Sequence, residues 1–306
     1  MDLVEPNSQG VKEMGILFDK YSIPKEKYSI HSCLLEDFPL DKQFDIIIAE
    51  GFLDAMHNQE EIVSRLKKLV KKQGVVVITC ADDACMFIEI IKRLIGVILT
   101  KDIHDYHKKK NFLVHFFEPQ LKNLRGMSRP VGDWVEDQML CESMINGCEL
   151  SMEQAITLLG EGFYVLGASP RMFTDYSWYK DVWFDTENDY KRQFREKRLS
   201  LLMAGLPETC LTERQAERLV NDFARVRHLV AAYERQPQQS LLSELQLLLD
   251  KIAVHIDGFD DMFVCVFKEI RRAICDVMKG DIVMERYPHF FAAFGKTQQY
   301  IAFEKK

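Results

Sequence analysis

The chain has 306 residues, of which 47% are apolar and 28% charged, as expected for one large or two smaller globular domains. The formal net charge of −7 argues against a nucleic-acid-binding protein, because such proteins usually carry a basic field. The longest apolar stretch, residues 87–99, is too short and too charged to span a membrane.

Short β-type runs alternate with helical patterns up to residue 80. The patterns predict the end of a strand at 2–6, strands at 28–32, 44–49 and 75–79, and helices at 8–20 and 60–72. Gln73-Gly74 is predicted to end the second helix. The unbroken apolar run at 44–49 is typical of a parallel strand buried on both faces. Strands that alternate with helices imply right-handed crossovers and a parallel sheet.

Helical patterns dominate the rest of the chain. Residues 84–160 are predicted to be mostly helical, with breaks near 125–126 and 129–130, and residues 163–167 to form a strand. Leucine, valine and isoleucine recur at three- and four-residue steps over 186–285, which predicts three or four helices with a break at Pro237. Residues 299–303 are predicted to form a last strand.

The eight cysteines include no C-x-x-C pair, and most lie in apolar sequence surroundings. This pattern predicts buried free thiols in a reducing compartment rather than a disulfide framework. The first residues are charged and turn-forming, unlike a signal peptide. The sequence therefore predicts a cytoplasmic protein.

Three segments at predicted strand ends have side chains suited to a nucleoside. Glu5 ends the first strand, and a carboxylate there can accept hydrogen bonds from both ribose hydroxyls. Residues 33–39 follow the second strand, and their apolar side chains could hold an adenine. Residues 44–56 place a loop at the carboxyl end of a buried strand, where open α/β sheets bind ligands.

These segments, at 4–7, 35–38 and 44–53, resemble the successive cofactor motifs of class I S-adenosylmethionine-dependent methyltransferases. Residues 66–78 resemble the helix, turn and strand that follow in that family, and 162–185 with 297–304 resemble the antiparallel pair that closes its sheet. The resemblance implies an α/β fold with a Rossmann-like sheet and a large helical insertion. It divides the chain into a cofactor-binding half at 1–83, a helical segment with the sixth strand and the substrate-side loops at 84–185, a helical insertion at 186–296 and the final strand at 297–306.

The resemblance implies S-adenosylmethionine as cofactor, S-adenosylhomocysteine as product and no metal. Four residues are assigned to the nucleoside. Glu5 would hold the ribose, Leu34 and Leu35 would flank the adenine, and Glu36 would contact its amine.

Three further residues are assigned to the methyl-bearing end of the cofactor. Glu50 and Gly51 would lie beside the methionine part and the methyl group, with Phe52 packed nearby. The reaction would be in-line displacement of the methyl group from a sulfonium. Positioning and dehydration of the reacting pair would supply most of the rate.

One departure from the family is large. The family places a strand and a glycine-rich loop before the ribose-binding acid, and this chain begins at Met1-Asp2-Leu3. The missing strand is central in the family's sheet, so the strands ending at Glu5 and Ser32 cannot pair with the one ending at Ala49. Either another segment fills the gap or the copy is shortened. We expect a shortened copy with reduced or absent activity.

Residues 126–135 and 169–180 are dense in side chains useful for recognition, and the family takes substrate contacts from these regions. The resemblance therefore implies a small-molecule acceptor site that includes Arg129, Trp134, Arg171, Tyr176 and Trp178. The two arginines could bind a carboxylate or phosphate, and the aromatic side chains could line a pocket. The alternative is that these residues anchor the helices to the sheet.

Two other functions stay open. A non-catalytic binding or interaction protein could use the helices at 186–285 as a partner surface. A nicotinamide dehydrogenase is disfavoured, since the sequence has no Gly-x-Gly-x-x-Gly motif. A metal site at His104 and His107 is disfavoured because no compact third ligand accompanies them.

Overall fold

The strands of this protein form two separate sheets. The computed structural model describes residues 1–122, 124, 129–146, 150–174, 186–207, 211–256 and 258–306. The smaller sheet pairs β1 (Asp2–Val4) in parallel with β2 (Ser29–His31). The larger sheet contains β3 (Phe44–Ala49), β4 (Val70–Cys80), β5 (Phe163–Ser169) and β6 (Gln299–Lys305), in the order β3-β4-β6-β5. β3 and β4 are parallel, and β6 is antiparallel to both of its neighbours. The protein is therefore mixed α/β, with the predicted antiparallel pair at the end of the sheet.

Helices connect and cover the strands. Those of the described residues are α1 (Ser8–Lys20), α2 (Gln59–Leu69), α3 (Asp83–Leu99), α4 (Tyr106–Leu121), α5 (Val131–Val135), α6 (Ser143–Asn146), α7 (Met152–Leu159), α8 (Thr186–Lys197), α9 (Glu213–Arg235), α10 (Gln239–His255), α11 (Asp261–Met278) and α12 (Pro288–Ala292). Pro237 lies between α9 and α10, as predicted. No described helix is long and apolar enough to cross a membrane.

The small sheet is attached to the rest of the chain mainly through side chains. Arg65 of α2 donates hydrogen bonds to the carbonyl of Leu35 at 3.0 Å and to that of Phe38 at 2.5 Å. The buried Phe38 ring packs edge-on against His31 of β2 and also contacts Phe44 of β3. No backbone pairing joins β1 to β3 within the described chain, in agreement with the prediction that these strands cannot pair.

The prediction for residues 60–79 was wrong at one boundary. α2 ends at Leu69, and β4 begins at Val70 instead of residue 75. The register against β3 shifts after the first pair, and Gln73 takes a φ of 61° there. Gly74 lies inside this irregularity, where a Cβ would come within 3.1 Å of the Asp45 carbonyl oxygen. The glycine therefore permits a close approach of two strands and does not end a helix.

The prediction that β3 is buried on both faces was also wrong. Ile46 and Ile48 are 64% and 65% exposed, whereas Ala49 on the opposite face is buried. In a strand, alternate side chains point to opposite faces, so one face of β3 is covered and the other is open.

α3 lies at the centre of the molecule, and each of its residues from Asp83 to Val97 is buried. Asp83 accepts a hydrogen bond from Arg227 of α9 at 2.9 Å, and Arg93 donates a hydrogen bond to Glu234, also of α9, at 2.8 Å. These ion pairs join the helical region after residue 186 to the sheet region. The apolar stretch at 87–99 is therefore a core helix.

The cysteines are less buried than predicted. The six described cysteines are free thiols, but only Cys80 and Cys85 are buried. Cys141 is exposed, and Cys33, Cys265 and Cys275 are half-buried.

Candidate functional site

A cleft of about 710 Å³ lies between the two sheets, along β1 on one side and β3 on the other. Its walls include every residue that the sequence assigns to the cofactor: Glu5, Leu34, Leu35, Glu36, Glu50, Gly51 and Phe52. The segments that follow β1, β2 and β3 therefore open on one space, as ligand sites of open α/β sheets do. Their role in binding a cofactor stays a prediction.

Glu5 is held at the end of β1 by its own backbone and side chain. Its amide donates to the carbonyl of His31 at 3.0 Å, which continues the pairing of β1 with β2. Its Oε1 accepts a hydrogen bond from the amide of Asn7 at 2.8 Å. No described Lys or Arg forms an ion pair with this half-buried carboxylate. It is positioned to accept further hydrogen bonds from a ligand in the cleft.

The segment after β2 presents an apolar surface and a second carboxylate to the cleft. Leu34 is 50% exposed, and Leu35 is half-buried. The side chain of Glu36 accepts a hydrogen bond from Asn58 at 2.9 Å, and this bond lowers the pKa of the Glu36 carboxyl. Exposed leucine beside an ionised carboxylate suits an aromatic ring that bears a hydrogen-bond donor.

The segment after β3 is oriented by β4 and β6. Gly51 has a φ of 74°, which favours glycine, and its amide donates to the hydroxyl of buried Thr79 at 2.7 Å. The Glu50 carboxylate accepts from the Tyr300 hydroxyl at 2.5 Å and from Gln298 at 3.2 Å. The first of these bonds raises the pKa of the Tyr300 hydroxyl. Sequence reasoning missed Thr79, although its place at the end of a predicted strand was a usable signal.

The cleft is acidic. Its walls contain the carboxylates of Asp2, Glu5, Glu36 and Glu50, and no lysine or arginine of the described chain lines it. Asp2 is paired with His31 and Lys42, so the net negative charge comes from the three glutamates. Such a site favours a ligand with hydroxyl groups or positive charge over one with phosphates.

A second cavity of about 380 Å³ adjoins the cleft, and Gly51 lies on the wall of both. Of the five predicted substrate residues, Arg129 and Trp134 line this cavity. Arg129 forms an ion pair with Asp137. Trp134 is 8% exposed, and its ring packs edge-on against Phe117. Trp134 therefore also anchors helices, which was the alternative interpretation.

The other three predicted substrate residues are not in this cavity. Arg171 is exposed after β5 and lines neither space. Tyr176 and Trp178 lie outside the residues that the structure describes.

Two residues of the second cavity were missed by sequence reasoning. Gln138 lines the cavity, and its Oε1 atom is buried with no hydrogen-bond partner among the described residues. Asp54 also lines the cavity, and burial raises the pKa of its carboxyl. A buried acceptor without a partner costs free energy unless a ligand donates to it. No sequence motif marks either residue, because Gln138 follows α5 and Asp54 follows β3, far apart in the chain.

No protein-family model matches this sequence, and no curated protein matches it. Among solved structures, the chain is similar to PKMT2 from Rickettsia typhi, with 12% identity and a TM-score of 0.40 over 63% of this chain and 40% of that chain. PKMT2 from the same organism in complex with AdoHcy gives 14% identity and a TM-score of 0.39 over 63% of this chain and 41% of that chain. This chain thus spans about two fifths of the length of those proteins. At these values the similarity carries no weight for function, and any assignment rests on the site.

Proposed function

We propose that this protein binds S-adenosylmethionine in the cleft between β1 and β3 and transfers its methyl group to a small molecule in the adjoining cavity. One observation carries the proposal: the predicted cofactor residues line a single cleft, and Gly51 belongs to both that cleft and the second cavity. A cofactor in the first space and an acceptor in the second would meet at Gly51. Both volumes lie within the range of about 300–1,000 Å³ typical of ligand pockets.

The nucleoside would lie at the ends of β1 and β2. Glu5 would accept hydrogen bonds from the ribose hydroxyls, since its carboxylate is oriented by the Asn7 amide. Leu34 and Leu35 would pack against the adenine, and Glu36 would accept from its amine. In these roles a carboxylate accepts the hydrogen bond, and such charge-assisted hydrogen bonds are stronger than those between neutral groups.

The charge of the cleft supports this ligand over a dinucleotide. A pyrophosphate would meet three glutamates and no basic side chain of the described chain, whereas a sulfonium and an amino group would be attracted. This favours the proposed cofactor over the nicotinamide cofactor of a dehydrogenase.

When bound, the cofactor supplies an electrophilic methyl group. The chain's own contribution would be to position the methyl group beside Gly51, whose backbone amide donates a hydrogen bond to the hydroxyl of Thr79. Gln138 and Asp54, which are polar side chains on the wall of the second cavity, would form hydrogen bonds with the acceptor molecule. We therefore expect an acceptor with a hydroxyl or amino group.

Calorimetric titration of the full chain with S-adenosylhomocysteine tests the proposal. We expect one site per chain, and Glu5→Ala should weaken binding by about tenfold or more, because a hydrogen bond to a charged group contributes about 1.5–3 kcal/mol. Glu26→Ala removes an exposed carboxylate of the same β1–α1–β2 unit outside the cleft and should bind as the unaltered chain does. Absence of heat at high micromolar ligand, or equal loss in both variants, contradicts the proposal.

A second function is a protein that uses this architecture for binding without methyl transfer. The open gap between β1 and β3 favours it, because no described strand joins the two sheets. Saturable binding of S-adenosylhomocysteine with no turnover against hydroxyl- and amino-bearing acceptors would select this function. Turnover would exclude it.

A further inference from the structure

Away from the cleft, three side chains of metal-binding types meet where α11 contacts α12. Cys265 Sγ, a carboxylate oxygen of Glu269 and a ring nitrogen of His289 all lie within 4.8 Å of one another. Cys265 and Glu269 are one helical turn apart on α11, so they share a face. His289 comes from the first turn of α12.

We propose that Cys265, Glu269 and His289 form a binding site for a divalent transition metal, with Zn²⁺ as the best fit. Cysteine, histidine and carboxylate are the ligands that Zn²⁺ takes in proteins, usually in a tetrahedral arrangement. Three protein ligands leave a fourth position for water. The site is independent of the proposed methyl transfer.

The distances place the ligand atoms around one point. His289 Nδ1 lies 2.7 Å from Glu269 Oε1 and 3.7 Å from Cys265 Sγ. Both neighbours therefore approach the same ring nitrogen. This arrangement differs from a nucleophile–base–acid relay, in which the thiol and the carboxylate would contact opposite nitrogens of the imidazole. A cation between the three atoms would replace the hydrogen bond of His289 with Glu269.

The surroundings of Glu269 orient it as a ligand. The residue is 8% exposed, and its Oε2 accepts a hydrogen bond from the amide of Phe290 at 2.8 Å. That bond leaves Oε1 directed at the imidazole and the thiol. A fixed outer hydrogen bond of this kind holds metal-ligating carboxylates in position. An ion pair of Glu269 with His289 explains two of the three groups but gives the thiol no role.

The histidines that lie close together in the sequence do not form this site. His104, His107 and His115 are all exposed, and the structure does not bring them into a ligand cluster within its described residues. The cluster at α11 and α12 was missed because its members are separated by up to 24 residues.

Cobalt and zinc titrations of the reduced, chelator-treated full chain test the site. Co²⁺ should bind once per chain and give a thiolate-to-cobalt charge-transfer band, which Zn²⁺ should abolish by displacement. Cys265→Ser should remove the band, and His289→Gln should weaken Zn²⁺ binding by more than about tenfold, since even outer-shell losses cost 10–100-fold. Glu269 is left unaltered because it also holds the start of α12.

Cys275→Ala is the matched control, since it removes another half-buried thiol of the same helix. It should keep both the band and the affinity. A chain that binds no Co²⁺ or Zn²⁺ at one equivalent overturns the proposal. So does a band that survives Cys265→Ser or disappears in Cys275→Ala.

Discussion

Glu89 and Lys92 on α3 are charged residues with almost no exposure to solvent, at 3% and 0%. Glu89 accepts a hydrogen bond from the amide of Gly295 at 3.0 Å, and Lys92 donates to the carbonyl of Ala293 at 2.5 Å. A Cβ on Gly295 would lie 1.9 Å from the carbonyl oxygen of Cys85, so only glycine fits there. The two side chains thus fix the segment that leads into β6, and β6 carries the tyrosine that orients Glu50.

Burial raises the pKa of Glu89 to about 7 and lowers that of Lys92. Between about pH 4.5 and 7 the folded chain therefore holds a proton at Glu89 that the unfolded chain releases. The free energy of unfolding should fall as pH rises through this window, by up to about 3 kcal/mol from this group. Chemical denaturation at pH 5 and pH 7 should show this loss for the unaltered chain relative to Glu89→Gln.

The Glu89→Gln variant cannot release the proton, so its own stability serves as the reference. Parallel pH profiles for the two proteins would show that Glu89 is ionised in the folded state.

At the scale of elements, β3 is the strand whose environment differs most from expectation. Its apolar run suggested burial on both faces, but the run alone does not show whether a second layer covers the strand. Ile48 is 65% exposed, whereas Ile78 of the neighbouring β4 is fully buried. The covered and open faces of the same sheet can therefore be compared by one type of substitution.

We expect Ile48→Ala to change the free energy of unfolding by less than about 0.5 kcal/mol, as for surface substitutions. Ile78→Ala should cost about 2–5 kcal/mol through lost burial and a cavity. Urea denaturation of the two variants measures the difference. A cost above about 1.5 kcal/mol for Ile48→Ala would mean that this face is covered in solution and that the gap beside β3 is filled.

Local sequence signals predicted most of the elements because they act within a few residues. α1 has its predicted bounds, since Asn7 caps it by accepting from the Gln9 amide. The end of α2 was misplaced because the irregular start of β4 depends on contact between Gly74 and β3. That contact is tertiary, and no neighbouring residue in the sequence marks it.

At the scale of the whole molecule, the sequence predicted the α/β class and which strand ends meet, but not how the helices join the sheet. The ion pairs of Asp83 with Arg227 and of Arg93 with Glu234 link residues more than 140 positions apart. Charged residues within an apolar helical pattern usually indicate solvent exposure. The sequence of α3 therefore did not indicate that its charged side chains are buried. The second cavity likewise brings together residues far apart in the chain, from Gly51 to Gln298.

If the loops after β1, β2 and β3 bind one nucleoside, a crystal structure of the full chain grown with saturating S-adenosylhomocysteine should show it in the cleft. We expect the ribose hydroxyls within about 2.6–3.2 Å of the Glu5 carboxylate, as hydrogen bonds require, and the adenine against Leu34 and Leu35. A nucleoside bound elsewhere, or an empty cleft at saturating ligand, would contradict the claim.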